Sequence, residues 1–172
     1  MTVNLITGFE IVYDVIKESV EAEICTGGLL EDVETFIPVY TNEEHVEEPV
    51  VWMHQLETTP GRQADISGTM ELITPFQFNC AIYEAEIEKA NAETQNLCNR
   101  VALAILKNWQ TVQASKQQGK TIKNITFQRY YPLGTIYVNG KSERLPVTGI
   151  VLEVHHIVNW LMCCKNLTNQ GE

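Results

Sequence analysis

Between Met70 and Trp109 the chain changes period with no turn residue at the change. Phe76, Phe78, Cys80 and Ile82 alternate with Gln77, Asn79, Ala81 and Tyr83, the period of two that a half-buried strand imposes. From Ile87 onward the apolar positions are Ile87, Ala90, Leu97, Val101, Ala104, Ile105 and Trp109, whose steps of three, four and seven place them on one stripe of a helix. Such a stripe has to be buried against something, and the preceding strand implies the sheet it lies on. The joint fixes an architecture and names no chemistry.

Sequence on either side supplies the remaining elements. Phe9, Val12, Tyr13, Ile16, Val20 and Ile24 predict a first helix from Gly8 to Ile24, stopped by Gly27 and Gly28. Thr35 to Tyr40 reads as a short strand that Pro38 confines to an edge or bulge, and the acidic stretch Asn42 to Pro49 as a loop. Val50 to Leu56 is a strand, followed by a projecting loop whose Pro60-Gly61 pair signals a turn, and then by a long hairpin partner from Gly68 to Glu84 with Pro75 at a bulge or an unpaired edge. Glu84, Glu86 and Glu88 suit the positive end of the second helix, which continues to Trp109 or Val112. Ile122 to Tyr131 and Thr135 to Val138 are strands, Asn139-Gly140 is the pair a type I′ turn prefers, and Leu145 to Trp160 returns. The expected fold class is α+β: a mostly antiparallel sheet with an N-terminal helix and a long central helix packed on one face. At 172 residues the chain suits a single domain over 1–172, with a flexible carboxyl-terminal tail at 161–172.

Charge narrows the partners. With 12 basic and 22 acidic residues the formal net charge is -10, which opposes binding to a phosphate backbone or an anionic membrane by charge. No apolar run approaches the roughly 18 to 20 residues needed to span a bilayer. Five cysteines without CxxC spacing or a secretory leader point to reduced thiols in a cytosolic setting. Adjacent His155 and His156 point to opposite faces of a strand and are poorly placed to share a metal, His45 and His54 add no ligand spacing, and Cys163-Cys164 faces the same objection. No P-loop, GxGxxG, GxSxG or HExxH pattern occurs, so neither catalysis nor a cofactor or metal is expected. Trp52, Tyr83, Tyr130, Tyr131, Tyr137 and Trp160 lack the basic groove of a single-strand stacking platform and read as packing residues. Polar projections remain, around Thr58 to Ser67, Asn139 to Arg144 and Lys116 to Lys120.

The order of these pieces resembles the tail terminator (tail-completion) proteins of long-tailed bacteriophages or related proviruses. The likeness rests on FEIVYDVIKESVEAEI, PVVWMHQLE, TTPGRQADISG, TPFQFNCAIYEAE, LCNRVALAILKNW and LPVTGIVLEVHHIVNW, which together span nearly the whole chain. It implies a homo-hexameric ring at the end of the tail tube that stops tube polymerisation and offers a docking surface for the head. The implied partners are further copies of the chain, the tail tube protein and a head completion or connector protein, with DNA passing through unbound, no membrane, assembly in the host cytoplasm and residence in the virion tail. The family carries no catalytic motif. Predicted exposure on the projections selects Thr58, Arg62, Gln63, Asp65, Asn139, Lys141 and Arg144 as the assembly interface. The acidic segment before Pro49 and the Cys-containing tail depart from the family pattern. Alternatives are another head-tail connector or a tail-tube component, and a small cytosolic enzyme or ligand-binding domain with its site between sheet and helices.

Overall fold

Burial of one face of a long strand against one stripe of a long helix organises the molecule. The computed structural model describes residues 8–38, 47–62, 69–83, 86–116, 121–137 and 144–159. In chain order these form α1 (Gly8–Glu21), β1 (Thr35–Ile37), β2 (Val50–Gln55), β3 (Thr59–Arg62), β4 (Thr69–Ala81), α2 (Ile87–Ser115), β5 (Ile122–Tyr137) and β6 (Arg144–Asn159). The fold is α+β, as the periodicities require. One six-stranded sheet runs β1-β2-β4-β6-β5, with β3 beside β4. All its pairings are antiparallel except the short parallel pairing of β1 with β2.

The even-numbered side chains of β4 from Leu72 to Cys80 are buried, and the intervening ones are half-exposed. Phe76 and Phe78 are fully buried, and opposite them on β6 lie Leu152 and Ile150, equally buried. Leu97, Val101, Ala104 and Ile105 of α2 and Val12, Val15, Ile16 and Val20 of α1 join them in one apolar cluster. Completely burying a Phe or Leu side chain contributes about 1.5–3 kcal/mol, so this two-layer contact is the main source of stability.

Four sequence expectations change in detail. The first helix ends at Glu21, three residues early, because the chain then folds back on Glu23. Glu23, only 4% exposed, accepts from the Leu29 amide at 3.0 Å, from Asn108 Nδ2 at 2.7 Å and from Lys107 Nζ at 2.8 Å. Gly27 takes a left-handed φ of 82°, and a Cβ on Gly28 would lie 2.2 Å from the Glu23 carbonyl oxygen, so the reversal requires both glycines. The projecting loop after β2 is partly strand: Thr59 to Arg62 pairs with Glu71 to Ile73. Pro75 is neither at a bulge nor on a free edge. It pairs regularly with Glu153 of β6, while its carbonyl accepts from Leu56 at 2.9 Å, just where β2 gives way to β3 and a missing N–H costs no ladder bond. Finally, Ile122 to Tyr137 is one strand, kept paired to β6 by register shifts between Ile122 and Asn124, Phe127 and Arg129, and Pro132 and Gly134.

Phe78→Ala should lower the unfolding free energy by about 3–5 kcal/mol, read as a reduced urea midpoint at unchanged m-value. Glu23 has a carboxyl held down to about 2 by the hydrogen bonds from Asn108, Lys107 and Leu29. Its pKa is lower folded than unfolded, so its contribution is complete above pH 4.5 and is lost as pH falls towards 2. The melting temperature of Glu23→Gln should therefore depend less on pH than that of the wild type within that window.

Candidate assembly surfaces

The ladder between β4 and β6 sets the positions of the predicted interface residues. Thr69 pairs with Asn159 at one end and Ala81 with Val147 at the other. Arg62 sits at the first end, in register with Glu71. Arg144 sits at the second, three residues beyond Val147, where β6 pairs only with β5. At about 3.3 Å per residue the two lie roughly 40 Å apart at opposite ends of the sheet. They belong to two surfaces, where the sequence reading treats them as one interface. Thr58 is partly buried, with its hydroxyl 2.8 Å from Thr74 Oγ1, which ties it into the sheet. Gln63, Asp65, Asn139 and Lys141 lie outside the described residues, as do Cys163, Cys164, the segment 117–120, residues 43–46 of the acidic stretch and the tail at 161–172.

The sheet also has two lateral edges, β1 and β5. Across β5 the paired residues share a face, so Phe127 opposite Leu152 and Tyr130 opposite Ile150 both point to the helix side. In a regular strand, residues three apart point to opposite sides. The register shift between Phe127 and Arg129 brings both rings to one side, with centroids 4.7 Å apart. Neither is covered: Phe127 is 48% and Tyr130 36% exposed. Tyr130 donates its hydroxyl to Asn99 on the flank of α2 facing β5, whereas the turn after α1 holds the other flank, with Asn108 donating to Glu23 and Arg100 to Asp32, at 2.9 Å for the Nη2 contact. The helices thus cover the Ile122 and Ile125 end of the fifth strand and leave Phe127 and Tyr130 exposed on the same face. Sequence alternation alone misses this apolar ledge, because the bulge that builds it inverts the parity.

Titratable groups lie on both faces of the sheet. His155 and His156 diverge as expected. His155 Nδ1 lies 3.7 Å from Glu71 on the open face of the sheet, whereas His156 is fully buried on the helix side with Nε2 2.8 Å from Thr74 Oγ1. No group of three or more His, Cys, Asp and Glu side chains that could hold a metal occurs among the described residues. Cys80 and Cys98 are buried free thiols at the helix–sheet contact, and Cys98 donates to the Thr148 carbonyl at 3.3 Å. Burial raises the Cys80 thiol well above its usual range, which suppresses its nucleophilic thiolate form. No described helix is long and apolar enough to cross a membrane.

No family model matches the chain, and no curated protein does. Among solved structures the chain is similar to one described as "Virion of native gene transfer agent (GTA) particle", with 9% identity and a TM-score of 0.46 over 85% of this chain and 94% of that one.

Burial, helped by the adjacent His155, pushes His156 down from 6.5 to about 4. The unfolded chain takes up this proton near pH 6.5 and the folded chain does not, so stability falls as pH drops from 6.5 towards 4. The loss amounts to about 3 kcal/mol at the bottom of that window. His54, lowered by burial, acts in the same direction. The part due to His156 is therefore the wild-type melting-temperature slope between pH 6.5 and 4.5 minus that of His156→Gln, which should be shallower.

Proposed function

We propose that the chain is a phage-like virion structural protein acting as a tail terminator: a closed ring of copies, six by the family resemblance, at the end of a tail tube. The observation that carries this reading is the placement of Arg62 and Arg144 at opposite ends of one rigid sheet. A body with an arginine at each end of its sheet and an edge strand on each side suits an adaptor. Its ends meet two different partners, tube and head completion or connector protein, while its sides meet its own neighbours. A head-to-tail contact from the β5 side of one copy to the β1 side of the next is heterologous, and such contacts generate a ring when the rotation closes. The edge strands β1 and β5, and the exposed Phe127–Tyr130 pair on one of them, suit that contact.

The net charge of -10 fits the same role. Carboxylates around a channel repel phosphate, so DNA slides through without adhering. The protein works without catalysis, assembling in the host cytoplasm and remaining in the virion tail.

The test is to add the purified chain to polymerising tail-tube subunits and measure tube lengths by electron microscopy. Tubes should become shorter with rings at one end, and the protein alone should not form long tubes. Unchanged lengths together with no end-bound rings would overturn the reading, and long tubes of the protein itself would favour a tube subunit. Arg62→Glu and Arg144→Glu should each weaken assembly by about tenfold, at different partners, with the melting temperature nearly unchanged.

A further inference from the structure

Two of the side chains buried between helix and sheet carry sulfur, and they meet. In the ladder Cys80 of β4 stands opposite Thr148 of β6, so its side chain rises from the sheet beside that residue, on the helix side. From above, Cys98 of α2 reaches the same spot, where its thiol donates to the Thr148 carbonyl at 3.3 Å. With the Cys98 proton committed there, the hydrogen bond between the two thiols runs from Cys80 to the Cys98 sulfur. Both thiols are free and 0% exposed, whereas Cys25 is exposed in the turn after α1. A disulfide needs two side chains that converge, and a strand facing a helix with the sulfurs already in contact supplies that. Packing alone does not call for sulfur at both positions, since Phe78, Val101 and Ala102 fill the same layer with carbon.

We propose that Cys80 and Cys98 are a latent disulfide which, once oxidised, fastens α2 to β4. The oxidant is a hydroperoxide, in the simplest case hydrogen peroxide, small enough to follow water into a brief local opening of the layer. One sulfur, as thiolate, attacks a peroxide oxygen, and the O–O bond breaks. The departing hydroxide takes up the proton that the thiol had released, giving water and leaving a sulfenic acid. The second sulfur then attacks the first, and the sulfenic hydroxyl leaves with the second thiol's proton as another water. Two thiols and one peroxide thus become one disulfide and two waters, the sulfurs giving up the two electrons that the peroxide gains. Burial and the Cys98 contact raise the Cys80 thiol, so thiolate is scarce and the reaction slow. Once formed, the bond closes the chain around the passage from β4 to α2 and denies the unfolded chain the freedom to separate those elements. It locks the layer that holds the main core, away from the Arg62 and Arg144 ends. In a particle that leaves a reducing cell for an oxidising medium, the lock sets after assembly. That timing rests on the proposed virion role, and the cross-link itself does not.

Treating the folded full chain with hydrogen peroxide, in a background carrying Cys25→Ser, Cys163→Ser and Cys164→Ser, tests the pair. The intact mass should fall by that of two hydrogens. After alkylation, trypsin should release the peptide from Gln63 to Lys89 joined to the peptide from Ala90 to Arg100. The joined form should melt about 5–10 °C above the reduced form, and dithiothreitol should reverse both changes. Cys80→Ala and Cys98→Ala, treated alike, should show neither the linkage nor the shift. A chain that keeps both thiols, one that gains sulfinic acid at either cysteine in place of the link, or a linked form that melts no higher than the reduced one would each overturn the proposal. None of these readouts involves tube capping, so failure here leaves the terminator reading standing, and failure to cap tubes leaves the cross-link standing.

Discussion

The contact between the even-numbered face of β4 and the apolar stripe of α2 is the constraint on which the other features depend. Phe76, Phe78 and Cys80 on one side and Leu97, Cys98, Val101 and Ile105 on the other are all buried. Because α2 is 29 residues long and runs along β6, it reaches from Thr148, beside Cys98, to Ile122 opposite His156, beside Gln113. That coverage leaves space for one further helix, α1, on one flank only, held there by Glu23 and Asp32 from the reversed turn after Glu21. The uncovered ledge at Phe127 and Tyr130 is a direct result of this packing.

The same contact makes the body rigid enough to separate its ends. The long β4–β6 ladder keeps the Arg62 end and the Arg144 end apart. Buried groups lie in the layer between helices and sheet: His156 stays neutral against Thr74, burial raises the Cys80 thiol, and Cys98 donates to the Thr148 carbonyl. Surfaces facing outward carry the features suited to association.

Much of the fold was legible because each long element has one clean period. The alternation in β4 and β6 and the stripe in α2 determined their type, whereas the expected Asn139-Gly140 turn lies outside the described residues. Less was legible where a local signal meets a tertiary one. Pro75 signals an edge, yet it lies in a central strand because the chain breaks between β2 and β3 beside it. Pro132 and Gly134 signal an interruption in β5, yet a register shift absorbs it. Thr59 to Arg62 carries turn residues and becomes strand only because Glu71 to Ile73 offers open backbone partners.

Sequence by itself determined the fold class, the two helices, the core faces of the long strands and the acidic charge, because periodicity and composition are properties of neighbouring residues along the chain. It could group Arg62 and Arg144 only as residues in polar segments. Tertiary structure decided that they lie at opposite ends of the sheet and that the β5 bulge turns Phe127 and Tyr130 to the same side. Those are outcomes of register and of how many helices fit across five strands, and neither is encoded in any single stretch of residues.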